Sequence, residues 1–347
     1  MVIRTLSNLP GVSGHEEPVR EYLWEESRAF IDNHWIDSMG NLILLKKGTS
    51  CSKKVMMLAH MDEVGLMVRH IEKKGTIRFS TLGGIEPSVL AAKPVIIHGK
   101  ENIPGVIGMK PIHLQAPEEI KSPLKKDSLY IDTGHASDEE LKRLTQPGDP
   151  ITFDTPFAPL GQLWKGKAFD DRAGCAILLE TLKMNIQPAY DTFFVFCVQE
   201  EVGLRGSRIA AQRIEPDLAF VFEGTTACDI PLVDPHRWTT QLGQGPAFTI
   251  AHHGLVFQAS ILQSLSTLAQ ENQIPFQWKQ KIAGGNDSTP ISKAGVGCIT
   301  GSISLPVRYI HSPASLMSPK DYEATLRLSE LILRKQSNFF THDGRLS

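Results

Sequence analysis

Two adjacent acids, Glu200 and Glu201, follow a continuous apolar run at residues 193–198. A short apolar run bounded by turn residues predicts a strand that is buried on both faces. A turn with two glycines follows, and Ser207 is predicted as the N-cap of the next helix. Open α/β sheets bind ligands at the carboxyl ends of their strands, so the two acids are candidates for chemistry. The alternative is a solvated turn whose acids only favour a helix dipole.

Two further predicted strands end in polar residues of the same kind. Residues 55–59 form an apolar run that ends at His60, and residues 218–222 form another that ends at Glu223. Side chains at i and i+2 of an extended chain point the same way. Asp62 is therefore predicted to accept a hydrogen bond from the ring nitrogen of His60 that faces away from a metal.

Asp170 and His311 lie where predicted elements meet, Asp170 before a helix and His311 after a strand. A helix N-cap is the alternative for Asp170. Two histidines with three or four carboxylates at one sheet edge suit two divalent ions, namely zinc, cobalt or manganese. One bridging carboxylate would place the ions ~3.5–4 Å apart and acidify a shared water. Because adjacent side chains point in opposite directions, one of Glu200 and Glu201 can bind metal while the other takes the water's proton.

The order of the strand and helix patterns predicts an α/β fold with an inserted domain. Strands and helices alternate in residues 1–65 and again in residues 164–347. Between them, residues 66–163 form short alternating segments broken by Gly and Pro, which predict a small β-barrel or sandwich. Near the start, Ser13 and Glu16 have capping-box spacing ahead of a predicted helix. A last amphipathic helix is predicted at residues 320–334.

Composition excludes several classes of function. The chain has 347 residues with 41% hydrophobic content and a formal net charge of −2, which is typical of a globular protein. No basic excess indicates nucleic acid, and no apolar run approaches the length of a membrane span. The five cysteines are scattered and the first residues lack the apolar core of a signal peptide. We therefore expect a cytoplasmic protein without structural disulfides.

Five motifs occur in one order along nearly the whole chain. They are HMDEVG at 60–65, GKAFDDRAG at 166–174, QEEVGLRG at 199–206, GGNDS at 284–288 and RYIHSP at 308–313. Any one of them is a weak signal, whereas five in this order are specific. Together they resemble the tetrahedral-type dinuclear metallo-aminopeptidases. That family includes glutamyl aminopeptidase and bacterial proteins once labelled endoglucanases.

The resemblance implies a role for each candidate residue. The metal ligands would be His60 and Glu223 for one ion, Glu201 and His311 for the other, and Asp170 as the bridge. Glu200 would be the general base and later the proton donor to the leaving amine, and Asp62 would orient His60. Two positions depart from the family pattern. Glu223 stands where aspartate is more common, and Asn286 stands where the family loop usually has threonine.

The resemblance also implies architecture, substrate and assembly. It implies a zinc-peptidase-like mixed sheet flanked by helices, and a PDZ-like inserted β domain that makes subunit contacts. Family members commonly assemble from dimers into a hollow dodecamer, which restricts access to short peptides. An aminopeptidase must also hold the free α-amine of its substrate. Asp171, Asn286 and Asp287 are the candidates for that contact.

Other functions remain open at this stage. A related dinuclear deacylase or carboxypeptidase would need a basic anchor for a carboxylate, and Arg205 or Arg308 could supply it. A catalytically idle binding subunit is a further alternative, although such a protein need not keep the complete ligand set. A glycosidase would use two carboxylates without metals, and the histidines oppose that reading. The pair at 252–253 is interpreted as surface or interface histidines.

Overall fold

The computed structural model describes residues 1–340, so the end of the predicted catalytic segment, from 341 on, lies outside the described residues. The strands are β1 Asn33–Ile36, β2 Leu42–Lys46, β3 Ser50–His60, β4 Gly65–Ile71, β5 Thr76–Leu82, β6 Pro94–His98, β7 Asn102–Gly108, β8 Tyr130–Asp132, β9 Pro150–Phe153, β10 Ala158–Leu160, β11 Leu163–Gly166, β12 Tyr190–Cys197, β13 Leu218–Thr226, β14 Ala247–Phe248, β15 Ala251–His252, β16 Leu255–Val256, β17 Gln277–Trp278, β18 Ile299–Arg308 and β19 Ser315–Met317. The helices are α1 Val2–Asn8, α2 Glu17–Ser27, α3 Pro117–Lys121, α4 Asp138–Leu144, α5 Phe169–Lys183, α6 Arg205–Ile214, α7 Ala259–Glu271, α8 Ser288–Ser292 and α9 Pro319–Arg334.

One large mixed sheet forms the centre of the molecule. Its strand order is β1-β2-β12-β3-β13-β18-β19-β11-β10, with β14 and β17 joined to β18 at the side. The four central strands β12, β3, β13 and β18 run parallel to one another. Parallel strands buried on both faces read as continuous apolar runs, which is the pattern that predicted β3, β12 and β13, whereas β18 was predicted from an alternating pattern. The predicted α/β fold with a mixed sheet is confirmed.

Helices cover both faces of this sheet, because alternate residues of each central strand point to opposite sides. Met57 of β3 packs in a core with α1, α5 and α9, whereas Met56 and Leu58 pack on the other side with α6 and α8. The predicted C-terminal helix at 320–334 matches α9. Among the residues that the structure covers, no helix combines the length and apolar character needed to cross a bilayer.

A closed barrel with its own apolar core is inserted in the chain between strands of the large sheet. Its strands follow the order β4-β5-β8-β7-β6-β9, so they occupy residues 65–153. The predicted insert covered residues 66–163, which includes β10 and part of β11. Those two strands instead pair with each other and, through β11, with β19 of the large sheet. The chain therefore returns to the large sheet before residue 163.

Three local predictions were wrong, each because a long-range contact prevails over a local signal. Helix α2 begins at Glu17 without a side-chain cap, because the Ser13 hydroxyl donates to Asp62 instead. Ser207 lies inside α6, where its hydroxyl donates to the buried Asp287. Strand β13 does not end at Glu223, because its pairing with β18 continues through Thr226.

Candidate metal centre and active site

The predicted ligands and the predicted general base meet at the carboxyl edge of the four parallel strands. Their places are the last residue of β3 for His60, the turn after β12 for Glu200 and Glu201, the interior of β13 for Glu223, the loop after β18 for His311 and the first turn of α5 for Asp170. The edges coincide because the strands are in register, with Cys197 opposite His60. Residues as far apart in sequence as His60 and His311 therefore share one site.

Asp170 lies between the two histidines. Its Oδ1 is 3.4 Å from Nε2 of His60, and its Oδ2 is 3.2 Å from Nε2 of His311. Glu223 completes the first set with Oε1 at 3.4 Å from Nε2 of His60. Glu201 completes the second with Oε1 at 3.3 Å from Nε2 of His311. The structure thus brings together two histidine–carboxylate sets that share one aspartate.

Glu200 lies beside these sets, with Oε2 at 4.0 Å from Nε2 of His60. By mutual distance alone, two groups have potential ligand atoms within 4.8 Å of one another, namely His60 with Glu200 and Glu223, and His60 with Asp170 and Glu201. The direct pairs favour a different division, because Glu201 lies 3.3 Å from His311 and Glu223 is nearer than Glu200 to His60. Of these carboxylates, Glu200 therefore lies farthest from a histidine nitrogen with which it could share a metal ion.

Three buried atoms of this cluster have no hydrogen-bond partner among the described residues. They are His60 Nε2, Glu201 Oε1 and Glu223 Oε2. Leaving a buried polar group unpaired costs about 1–3 kcal/mol, so native proteins rarely do it without a reason. Nitrogen and carboxylate donors without a cysteine cluster are the ligands that zinc, cobalt and manganese accept. The residues present fit a divalent metal centre.

The same cluster has unusual acid–base properties. Burial raises the pKa of Glu223 to about 8 and also raises the pKa of Glu200, to which the charge of Glu223 contributes. Burial alone would lower the pKa of His311. The hydrogen bonds and charges of Asp170 and Glu201 together have the larger effect and raise it to about 11. The cluster without a cation therefore holds protons that metal ligands must lose. We expect metal binding to release protons.

Asp62 fixes both the first histidine and the pair of glutamates. Its main-chain oxygen lies 3.1 Å from Nδ1 of His60, closer than its carboxylate Oδ1 at 3.4 Å. A proton on Nδ1 leaves the lone pair of Nε2 facing the acids. The Asp62 carboxylate also accepts hydrogen bonds from the main-chain nitrogens of Glu200 (3.0 Å) and Glu201 (3.2 Å). Ser13, which the sequence indicated only as a helix cap, donates to it at 2.6 Å.

Gly224 allows the bridging aspartate to approach the sheet. Its main-chain nitrogen donates to Asp170 Oδ1 at 3.2 Å. A Cβ atom at position 224 would lie 2.7 Å from that oxygen, which is closer than real Cβ contacts occur. Glycine is therefore required at 224 because Asp170 lies so close to the backbone, and not because of a positive φ.

Three buried charges beside Asp170 form a second group, here named the Glu63 cluster: Glu63, Lys167 and Arg172. The Lys167 ammonium donates to both carboxylate oxygens of Glu63 at 2.7 and 2.8 Å. Arg172 donates to Glu63 at 3.2 Å and to the main-chain oxygens of Met61 and Leu6. This cluster ties β3 and the N-terminal helix to the segment that carries Asp170.

The three predicted substrate contacts occupy different places. Asp171 is fully buried and accepts from the main-chain nitrogens of His60 and Gly174. Asp287 is also fully buried and accepts from Cys197 and Ser207. Asn286 lines the cleft in front of the acids. A substrate-binding role for these residues stays a prediction.

A cleft of about 270 Å³ opens onto the acids. Its polar lining includes Glu200, Glu223, Thr225, Thr239, His252 and Lys279. The surface interpretation of His252 was wrong, since its side chain is buried and bonded to Ser288. A second cavity of about 670 Å³ lies on the other side of His311, between the barrel and the large sheet. His311 thus lines both spaces.

The two arginines considered as carboxylate anchors lie outside the cleft lining. Arg308 is held by Asp229, with Nη2 and Oδ2 2.6 Å apart. Within residues 1–340, the side chain of Arg205 donates only to Gln199, at 3.4 Å. Neither position favours a carboxypeptidase or deacylase.

Comparison with known proteins adds independent information. The family model described as M42 glutamyl aminopeptidase matches residues 40–328. The lysyl aminopeptidase of Pyrococcus furiosus is 30% identical over 343 residues, which cover 96% of both chains.

Two solved structures share the whole fold. An aminopeptidase from Desulfurococcus kamchatkensis is 35% identical with a TM-score of 0.92, over 96% of this chain and 93% of its own. The TET1 peptidase of Pyrococcus horikoshii is 30% identical with a TM-score of 0.86, over 96% of this chain and 98% of its own. That peptidase is described as able to assemble into a tetrahedron or a large octahedral shell.

Proposed function

Because the chain belongs to the M42 glutamyl aminopeptidase family and is a peptidase, we propose that it releases N-terminal residues from short peptides with two divalent metal ions. The resemblance inferred from the five motifs is confirmed by the family match. The observation that carries the proposal is Asp170, whose two carboxylate oxygens each face one histidine nitrogen.

The proposed ligand sets follow the direct pairs. His60 and Glu223 would hold one ion and His311 and Glu201 the other, with Asp170, which lies between the two histidines, serving both. Two such ions would supply Lewis acidity and a water of lowered pKa. Glutamate at position 223 keeps the carboxylate chemistry of the more common aspartate. Its Oε1 reaches the same distance from His60 as Asp170 Oδ1, 3.4 Å, which supports a ligand role despite the longer side chain.

Glu200 is the proposed general base. It lines the cleft and is held by the hydrogen bond from its main-chain nitrogen to Asp62. Burial raises the pKa of its carboxyl group, which suits a group that accepts a proton near neutral pH. In the proposed mechanism the carboxylate takes a proton from the nucleophilic water and later gives it to the leaving amine. Asp62 acts as a positioning residue for this step.

Assembly and compartment are part of the same proposal. We expect dimers that assemble into a dodecamer, supported by the described assembly of the Pyrococcus horikoshii relative. A shell of that kind would admit short peptides and exclude folded proteins. A cytoplasmic location is supported by the cysteines, all five of which are free.

Hydrolysis of aminoacyl anilides tests the proposal directly. The protein is stripped of metal and reloaded with zinc, cobalt or manganese singly, and each form is offered free-amine and N-acetylated substrates. We expect activity only with metal, only on free amines, and not in the Glu200→Gln variant. Release of acetate from the acetylated substrates would instead indicate a deacylase, and bound metal without any hydrolysis would indicate an idle subunit.

A further inference from the structure

Lys279 is a cleft residue that the proposed chemistry does not use. It follows β17, and its main-chain nitrogen donates to the oxygen of Phe248 in β14 at 3.0 Å. Its side chain is half-buried and lines the cleft together with Glu200 and Glu223. Among the described residues that line the cleft, Lys279 is the only lysine or arginine.

The ammonium group of Lys279 has no hydrogen bond or ion pair with any described residue. The buried Lys167 differs, because it is fully paired with Glu63. Burial lowers the pKa of Lys279, while the charges of Glu223 and Asp170 act in the opposite direction. These two acids are the proposed metal ligands, so bound cations would compensate them and leave Lys279 without an anion.

Apart from Lys279 and the residues of the proposed metal centre, the polar side chains that line the cleft are neutral. Nδ1 of His252 accepts from the main-chain nitrogen of Gly254 at 3.2 Å, which places the ring proton on Nε2, toward Ser288. Burial lowers the pKa of His252, and the charge of Lys279 lowers it further. Thr225 and Thr239 add hydroxyl groups to the same lining. Outside the proposed metal centre, the cleft lining therefore offers one positive charge and several neutral hydrogen-bonding groups.

We infer that this cleft receives the side chain of an acidic N-terminal residue, and that Lys279 determines this specificity by binding its carboxylate. The inference rests on the proposed aminopeptidase function. The volume of about 270 Å³ suits one side chain. The relatives leave the preference open, because the family is named for glutamyl and the Pyrococcus furiosus relative for lysyl substrates. In this chain a lysyl side chain would meet a like charge.

The test measures kcat/KM for glutamyl, aspartyl, leucyl and lysyl anilides. The proteins are the wild type, Lys279→Met, Lys279→Arg and a matched control, Lys281→Met, which removes an exposed lysine two residues away. We expect the wild type to prefer glutamyl over lysyl substrates. The ratio of glutamyl to leucyl kcat/KM should fall by about 10- to 100-fold in Lys279→Met, as for loss of one charged hydrogen bond. Lys279→Arg should restore much of it, and Lys281→Met should not change it.

A second measurement separates binding from turnover. The metal-loaded Glu200→Gln protein is titrated with glutamate and with leucine in a calorimeter, with and without Lys279→Met. We expect tighter binding of glutamate, and loss of that advantage in the Lys279→Met background. This result does not depend on the catalytic rate.

Three outcomes would overturn the inference while leaving the aminopeptidase function intact. An equal fall for all four anilides would mean that Lys279 assists the reaction itself. In a parallel assay of leucyl dipeptides and their C-terminal amides, a Lys279→Met effect confined to the free dipeptides, with the anilides unchanged, would mean that Lys279 binds the C-terminal carboxylate. An unchanged glutamyl-to-leucyl ratio would mean that it binds no substrate carboxylate. Failure of the proposed function looks different, since no free-amine substrate would then be hydrolysed by any form.

Discussion

Two groups of buried charged side chains share the segment 167–172, namely the Glu63 cluster and the proposed metal ligands around Asp170, and only the Glu63 cluster is completed by the polypeptide. In the Glu63 cluster every charged group has a partner, with Lys167 Nζ 2.7 Å from Glu63 Oε1. In the ligand set, His60 Nε2 and one oxygen each of Glu201 and Glu223 have no hydrogen-bond partner among the described residues. The first group serves structure, and the second is left open for a ligand.

The physical basis of this difference is the cost of burying charge. A buried pair is tolerated when hydrogen bonds satisfy it, and removing one partner is strongly destabilising. An uncompensated acidic group raises its pKa and takes up protons instead, as Glu223 does. The predictions below test whether the two groups respond to substitution in opposite ways, one in activity and the other in stability.

Glu200→Gln should have the largest effect. Loss of the general base should lower kcat by about 10²–10⁴-fold, while metal content and unfolding temperature stay near those of the wild type. Steady-state kinetics, metal analysis and calorimetry on the same sample measure all three. Loss of bound metal in this variant would show that Glu200 is a ligand, as its 4.0 Å distance from His60 also permits.

Glu63→Gln should act through stability. It leaves Lys167 and Arg172 as buried cations without an anion, so the free energy of unfolding should fall by about 3–5 kcal/mol. Urea denaturation measures it. Glu330→Gln is the matched control, because it breaks only the exposed pair with Arg334 and should cost about 0.5 kcal/mol or less. Equal effects of the two variants would contradict the structural role of the Glu63 cluster.

Metal addition should stabilise the folded protein by binding to the proposed ligands, and this gain should not involve the Glu63 cluster. At 100 to 1,000 times Kd, binding to the folded state alone adds about 2.7–4.1 kcal/mol per site. The metal-free Glu223→Gln protein should be at least as stable as the metal-free wild type, because a repelling acid is gone, and should gain less from metal. Thermal unfolding with and without cobalt tests both points. A large loss of stability in the metal-free variant would mean that Glu223 is a structural residue.

Glu16→Gln should give the smallest effect, and one that depends on pH. Burial, with the charge of Asp62, raises the pKa of Glu16 from 4.5 to about 7. The folded state therefore binds more protons between these values, and wild-type stability falls as pH rises through them. The variant should gain about 1–3 kcal/mol relative to the wild type from pH 4.5 to pH 7. A difference between the two proteins that stays constant with pH would contradict the shift.

The proposed ligands could be identified from the sequence because each one leaves a local trace. His60 and the acids at 200–201 interrupt apolar runs that are long enough to identify as buried strands. Parallel order then places the strand ends at one edge, so the site follows from the fold class. Glu223 was found by the same signal, although its strand continues past it.

Lys279 and Ser13 left no such trace. Lys279 reaches the cleft only because β17 pairs with β14, and two-residue strands have no recognisable pattern. Ser13 looked like a helix cap, and its hydrogen bond to Asp62 depends on packing across 49 residues of chain. The carbonyl of Asp62, closer to His60 than the predicted carboxylate, depends on the local backbone path. Such contacts follow from tertiary structure and cannot be read from spacing.

The glycine at position 224 has a consequence for how this site can vary. Any side chain there would press on Asp170, since even a Cβ atom would lie 2.7 Å from Oδ1. Every amino acid that a single nucleotide change can substitute for glycine carries a Cβ. We therefore expect that no single-nucleotide missense change at codon 224 is tolerated. Glu223 beside it, by contrast, can be replaced by aspartate and keep a carboxylate. A saturation library at position 224, selected for metal binding, should return glycine alone.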